Sequence, residues 1–249
     1  MMKKIYILWL RQIKRWLRSR SRIIGSLAQP LLFLWALGYG FSSVFEKAGQ
    51  GNYLNFLAPG IIGMGIIFTA IFSGIEVIWD RQFGFLKETL VAPMSRLHIM
   101  IGRTLGGATI ATAQGIMVMF LAMLFGFRME HWLSVFPAIG VMFLIALLFT
   151  SLGTMIASLL KDMQGFQLIM NFLIMPLFFL SGALFPLEGL PTTLSIIARL
   201  DPLSYGIDAL REIFLGMGHY GLTVDLIALG SITAIFLWLG SYFFKKIQI

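Results

Sequence analysis

Six stretches of this chain are too long and too apolar for an ordinary soluble core. They run from Ile23 to Phe45, Tyr53 to Val77, Ile99 to Phe125, Trp132 to Leu160, Phe166 to Leu184 and Leu222 to Phe244. A helix needs about 20 mainly apolar residues to cross the hydrocarbon of a bilayer. Each run meets or approaches that length, and little of the chain is left over. Inside lipid only helices and closed barrels satisfy their own backbone hydrogen bonds, and the alternating ten-residue segments of a barrel are missing. The reading is an all-α integral membrane protein, one domain over residues 1–249, with six transmembrane helices. Composition agrees: 58% of residues are hydrophobic and 12% charged, where soluble domains carry roughly 45–50% and about 25%. The basic residues ahead of the first run do not make it a cleavable leader, because that run exceeds the usual length of a leader's apolar core and no small-residue cleavage site follows.

The net charge of +8 is explained by where the charge lies. Lys3, Lys4, Arg11, Lys14, Arg15, Arg18, Arg20 and Arg22 all precede the first run. With the N-terminus in the cytoplasm, Arg81, Lys87, Arg96, Arg103, Lys161, Lys245 and Lys246 join them, leaving Lys47, Arg128, Arg199 and Arg211 outside. Fifteen of the 19 basic residues then face inward, the bias that orients membrane proteins. Six spans place both termini in the cytoplasm. The charge therefore points to the membrane surface and its lipids, and away from nucleic acid. The absence of cysteine excludes disulfides, thiolate catalysis and cysteine metal sites.

Three pieces do not span. Residues 1–22 form an interfacial amphipathic helix, with Ile5, Trp9, Ile13 and Trp16 on one face and Arg11, Arg15, Arg18 and Arg22 on another. Residues 80–98, DRQFGFLKETLVAPMSRLH, hold a short surface helix in which Phe83, Leu86 and Leu90 share a face and Pro93 ends the turn. Residues 185–221 are too apolar for a free loop and too short in any one piece to span. Asp201 before Pro202 reads as a helix N-cap, Gly216 as that helix's end, and Thr192 to Leu200 as a second short helix. A re-entrant pair at the outer mouth is expected.

Catalytic chemistry is not visible. His98, His131 and His219 are isolated, no acidic cluster lies within a span, and no GxxxxGK[ST] phosphate loop occurs. The chain is read as no enzyme and as carrying no cofactor or metal. Polar residues inside the spans are few. Gln29, Glu76, Gln114 and Asn171 are the candidates to line a substrate path, and Gly63, Gly65, Gly106 and Gly107 the candidates for close helix packing.

LAPGII (57–62), IWDRQFGFLKETLVAPMSRLHIMIGRTLGG (78–107), FFLSGALFPLEGLP (178–191) and LDPLSYGIDALR (200–211), in this order, resemble the permease subunits of type-2 ATP-binding-cassette exporters. The resemblance covers the whole chain and is closest to the branch of daunorubicin-resistance permeases and nodulation lipo-oligosaccharide exporters. Asp80 stands where that pattern leads one to expect Glu.

The resemblance implies that residues 80–98 carry a coupling helix. Its contacts with a separate ATPase would come from Arg81, Phe83, Gly84, Phe85, Lys87 and Glu88, with Pro93, Ser95 and Arg96 leading into the third span. Phe185, Pro186, Asp201, Pro202 and Tyr205 would stand at the outer gate. It further implies ATP and magnesium on two copies of that ATPase, a second permease copy or paralogue, and a bacterial or archaeal cell membrane. An apolar path with scattered amides suits an amphipathic or lipid-like substrate such as a drug, antibiotic or lipid. A lipid-linked saccharide or an ion are the alternatives within the family, and a secondary transporter the alternative outside it.

Overall fold

The computed structural model describes residues 2–47, 52–84, 95–160 and 162–245. These form ten α-helices. They are α1 (Met2–Arg18), α2 (Arg20–Lys47), α3 (Tyr53–Ser73), α4 (Ile75–Gln82), α5 (Arg96–Leu124), α6 (Val135–Leu159), α7 (Met163–Leu180), α8 (Thr192–Leu200), α9 (Pro202–Leu215) and α10 (Leu222–Lys245), with one 3-10 turn at Trp132–Ser134. Six of the helical stretches are long and apolar enough to cross a membrane: 20–47, 53–82, 96–124, 132–159, 163–180 and 222–244.

Local chemistry sets the boundaries. Asn52 caps α3 by accepting from the Leu54 N–H at 2.9 Å. Ser95 caps α5 and Asp162 caps α7 through their side-chain oxygens. At α9 the expected device is present in full: the Asp201 carboxylate accepts from the Leu203 N–H at 2.8 Å, Pro202 opens the helix, and Gly216 closes it at φ 66°. Three boundaries differ from expectation. The amphipathic N-terminal helix stops at Arg18, so Arg20 and Arg22 belong to the first span. Residues 80–82 continue the second span and Arg96 begins the third, which shortens the loop between them to 83–95. The fifth span ends at Leu180, because Gly182 at φ 74° turns the chain before Leu184.

The bundle is organised around α3. In its most apolar window 72% of residues are buried, against 17% in the first span, 22% in the fifth and 17% in the sixth. Helices α5 and α6 flank α3, α10 lies along α6, and α9 fills the space between α3, α6 and α10. Small residues set these approaches, as expected for helices that gain nothing from excluding lipid from one another. A side chain at Gly63 would meet Ile207 of α9, one at Gly65 would meet Val118 of α5, and one at Gly107 would meet Ser73 and Thr150. Two spans approach backbone to backbone where α3 breaks into α4: Gly74 presses on the Gly153 backbone, and a Cβ at Gly153 would lie 2.5 Å from the Ile71 carbonyl oxygen.

Helix α1 lies along α5. Gly102 and Gly106 leave a shallow seat that Leu8 and Gln12 occupy, and the Trp9 indole N–H donates to the Thr109 hydroxyl at 3.0 Å. The docked face is thus centred on Leu8, one position away from the Ile5, Trp9, Ile13 and Trp16 stripe. Glycine, by admitting the helix backbone, decides which side turns inward.

The Gly153 contact predicts a strong asymmetry within one helix. Gly153→Ala should destabilise the protein in detergent by about 1–3 kcal/mol, the usual range for overpacking. Gly140→Ala on the same helix, where a Cβ meets nothing within 4 Å, should be neutral or slightly stabilising. Thermal unfolding of the two variants, if equal, would remove the close approach as the feature that sets the α3–α6 distance.

Candidate functional site

The basic end of the bundle carries a cluster of charges at the root of the 83–95 loop. Glu76 and Asp80 stand four residues apart, on one face of α4, and both are buried. The Arg103 guanidinium, two turns into α5, donates through Nη2 to Asp80 Oδ2, and both partners are almost wholly buried. Glu76 receives Arg22 Nη1 at 3.4 Å and Arg15 Nη1 at 3.9 Å, and Arg15 also lies over the Trp79 ring at 5.7 Å. One short helix thus gathers α1, the start of α2 and α5. The two acids bear on stability differently. The pairs of Glu76 with Arg15 and Arg22 are long, and their arginine ends are half-exposed to solvent screening, so each contributes about 1 kcal/mol. Removing one member of a buried pair costs about 3–5 kcal/mol, because the other charge is left in a low-dielectric site. Asp80 and Arg103 therefore fix the two arms of the loop to one another.

No motif marks this pair as a pair. The usable signal is Arg103 itself, an ionisable residue seven positions inside an apolar helix, which has to find a partner.

Of the loop residues expected to contact another protein, Phe85, Lys87, Glu88 and Pro93 lie outside the described residues. Phe83 is 69% exposed and caps α4, and Gly84 follows at φ 80°. That left-handed glycine follows the C-cap Phe83 and closes α4, and Leu86 and Leu90, expected to share a face with Phe83, lie outside the described residues. Arg81 lies in the last turn of α4, while Ser95 and Arg96 open α5.

Next to the charge cluster a cavity of about 200 Å³ separates α2 from α3. Arg22, Ser26 and Gln29 line it from α2, and Met64, Phe68 and Phe72 from α3. The Ser26 hydroxyl lies 3.0 Å from Gln114 Oε1, and Gln114 is fully buried with its Nε2 unpartnered. Gln29 lines the cavity itself, while Gln114 and Glu76 reach it only through their partners Ser26 and Arg22. Asn171 does not join them: it is exposed on α7, in line with Gln167 and Gln164.

At the opposite end, α8 and α9 are fastened to the bundle. Tyr53 donates its hydroxyl to the Leu184 carbonyl at 2.9 Å, and Tyr205 donates to the Arg199 carbonyl at 2.7 Å. Arg211 is the centre of this end. Its Nη2 donates to the Gly182 carbonyl at 2.9 Å and its guanidinium covers the Phe56 ring at 4.0 Å. Burial lowers its pKa to about 10, with Asp208 pulling it back up. Burial likewise pushes the Asp201 carboxyl up to about 8, against the Leu203 N–H that favours the ionised form. Phe185 is 37% exposed, Pro186 half-buried, and Pro202 and Tyr205 half-buried beside Asp201. Asp201, Pro202 and Tyr205 lie together at the start of α9, and Arg211, in the same helix, had no role in the sequence reading. Among the described residues no group of three or more acidic or histidine side chains is placed to hold a metal ion.

Comparison with known proteins adds the relationship. A family profile described as ABC-2 type transporter matches residues 3–215. Nodulation protein J of Rhizobium leguminosarum bv. trifolii is 33% identical over 211 residues, covering 84% of this chain and 80% of the relative. Nodulation protein J of Rhizobium meliloti (strain 1021) is 28% identical over 92% of this chain and 88% of the relative. The ycf38 chain of Cyanophora paradoxa, whose name marks it provisionally as a transport permease, is 29% identical over 85% of this chain and 74% of its own length.

The buried pair gives a double-mutant prediction. Arg103→Ala and Asp80→Ala should each lower stability by about 3–5 kcal/mol, and the double variant should lose much less than the sum of the two. Chemical unfolding in detergent measures all four corners of the cycle. Strict additivity would mean that the two side chains do not depend on one another.

Proposed function

We propose, from the premise that this chain belongs to the ABC-2 type transporter family, that it is the permease of an ATP-driven exporter whose basic end faces the cytoplasm. The family match and the six apolar helices make it a multi-pass membrane permease that works with an ATP-binding subunit. The observation that carries the finer reading is the hairpin of α4 and α5. By sequence, residues 83–95 between them are the longest polar segment between spans at the basic end, and its two roots are joined by Asp80 and Arg103.

In this reading two ATPase subunits, holding ATP and magnesium, meet residues 83–95 of two permease copies or of one copy and a paralogue. Phe83 offers an exposed aromatic anchor, with Arg81, Gly84, Phe85, Lys87 and Glu88 beside it and Pro93, Ser95 and Arg96 on the return. ATP-driven closure pushes this turn. Because the roots are tied, the push enters α4 and α5 together, and the break at Gly74 lets α4 tilt against α3. The result is an exchange between inward-open and outward-open states.

The amide face of α7 supports the second copy. Gln167 and Asn171 are exposed on a helix of membrane-spanning length, and hydrocarbon offers amides no hydrogen bond. A facing permease or a polar path between two copies would supply one. Helix α1, packed on α5, turns its exposed Lys3, Arg11, Lys14 and Arg18 to anionic lipid at the inner membrane surface. Helices α8 and α9 dip into the outer leaflet, where Phe185, Pro186, Asp201, Pro202 and Tyr205 border the exit. The path is apolar with scattered amides, which suits an amphipathic or lipid-like cargo.

The test is co-reconstitution with the ATP-binding subunit in vesicles. The permease should stimulate ATP hydrolysis and drive ATP-dependent movement of a hydrophobic dye. Phe83→Ala should weaken assembly with the ATPase by about 2 kcal/mol, near thirtyfold in affinity. Unchanged assembly in that variant would move the contact elsewhere, and an ATPase indifferent to the permease would end the exporter reading.

A further inference from the structure

The cavity between α2 and α3 shares one side chain with the charge cluster, and that sharing has consequences. Arg22 lines the cavity and also bonds Glu76 in the first turn of α4. We propose that this cavity is a loading site for an anionic single-chain amphiphile, a phosphate monoester or a free carboxylate on an alkyl or ring-bearing tail, whose headgroup draws Arg22 away from Glu76. The proposal rests on the exporter reading and names the cargo class.

The two walls differ in kind. Arg22, Ser26 and Gln29 follow one another at helical spacing along one face of α2, and facing them Met64, Phe68 and Phe72 follow at four-residue steps along α3. A ligand there meets a polar strip on one side and an apolar strip on the other, the arrangement that holds an amphiphile in one orientation. From Arg22 to Gln29 the polar strip climbs about 10 Å at 1.5 Å per residue. A dry cavity of about 150 Å³ accommodates benzene. The roughly 200 Å³ here therefore takes one ring or a short run of methylenes, with the rest of the tail outside in lipid. The space is real in the packing sense as well. A Cβ on Gly25, which also borders the cavity, would meet nothing within 4 Å.

Charge selects the headgroup. A guanidinium matches phosphate or carboxylate through two parallel hydrogen bonds. Arg22 is available to compete, because its present pair with Glu76 is 3.4 Å long and its side chain is 41% exposed, a geometry of little net strength. Glu76 itself is 10% exposed by side chain and would keep only Arg15, at 3.9 Å. Headgroup binding thus loosens the tie between the α1–α2 corner and α4, the helix that leads into the 83–95 turn. A loaded permease differs from an empty one at the place where the ATPase is expected to push. Neutral and cationic amphiphiles would fill the cavity without moving Arg22.

The full chain in phosphatidylcholine vesicles tests this without any ATPase. A brominated dodecyl phosphate should quench tryptophan fluorescence saturably, and Trp16→Phe should remove that component, since Trp16 borders the cavity. Gly25→Leu should abolish it while thermal unfolding shows the protein intact. Arg22→Gln should weaken the phosphate by about tenfold, the effect of losing one charge-assisted contact, and should leave a brominated dodecyl maltoside unchanged. Equal affinities for the two headgroups, persistence in Gly25→Leu, or displacement by phosphatidylglycerol added to the vesicles would overturn the proposal, the last by making the site one for bulk lipid. With the ATPase added, dodecyl phosphate should raise hydrolysis, and Glu76→Gln should raise the unstimulated rate and blunt that response. A response left intact in Glu76→Gln would refute the coupling through Arg22. Quenching that behaves as described beside an ATPase that ignores the permease would keep the site and discard the exporter reading.

Discussion

Hydrocarbon offers a polypeptide backbone no hydrogen bonds, and nearly every feature of this protein follows from that. Each spanning stretch closes its own bonds as a helix, so that side chains alone decide how the helices meet. Apolar side chains decide little, since lipid is as good a neighbour for them as another helix. Glycine decides more. At Gly74 and Gly153 two spans touch backbone to backbone, and at Gly102 and Gly106 the third span admits the amphipathic helix that precedes the first. The same constraint governs the ends of the molecule. Asp201 with Leu203, and Arg211 with Gly182, satisfy backbone groups where α8 and α9 fold against the bundle.

Charge obeys a related constraint with the opposite effect. An ionised group deep in the bundle is tolerated only with a partner, so the few that occur there act as rivets. Asp80 and Arg103 join the arms of the turn between the second and third spans, and Glu76 gathers Arg15 and Arg22 beside them. The rivets differ in burial: Asp80 and Arg103 are both almost wholly buried, whereas Arg15 and Arg22 reach Glu76 from half-exposed positions. On the proposed reading, a strong joint next to a weaker one would let α4 and α5 move together while the attachment of α4 to the α1–α2 corner responds to what occupies the cavity.

The sequence was legible where chemistry is local and periodic. Six apolar runs became six helices, and Asp201, Pro202 and Gly216 became the cap, first residue and end of α9. It misled by a few residues where a single glycine overrides hydropathy. Leu184 reads as apolar as Leu180, yet Gly182 has already turned the chain. What could not be read was the pairing of distant residues. Glu76, Gln29 and Gln114 were visible as polar residues in apolar surroundings, but nothing in their spacing said that Ser26 would join Gln114 or that Asn171 would stand apart on α7. Arg103 declared that it needed a partner and left open which acid would supply it.

The central claim is that the two roots of the 83–95 turn move as one body. The chain has no cysteine, so spin labels can be placed singly at Gln82→Cys and Leu97→Cys on one copy, and the distance between them measured by pulsed electron resonance with the ATPase empty and trapped with ATP. The distance distribution should keep its centre and width on trapping, and should broaden in the same pair carrying Arg103→Ala. A centre that shifts by several ångströms on trapping, with Asp80 and Arg103 both intact, would contradict it.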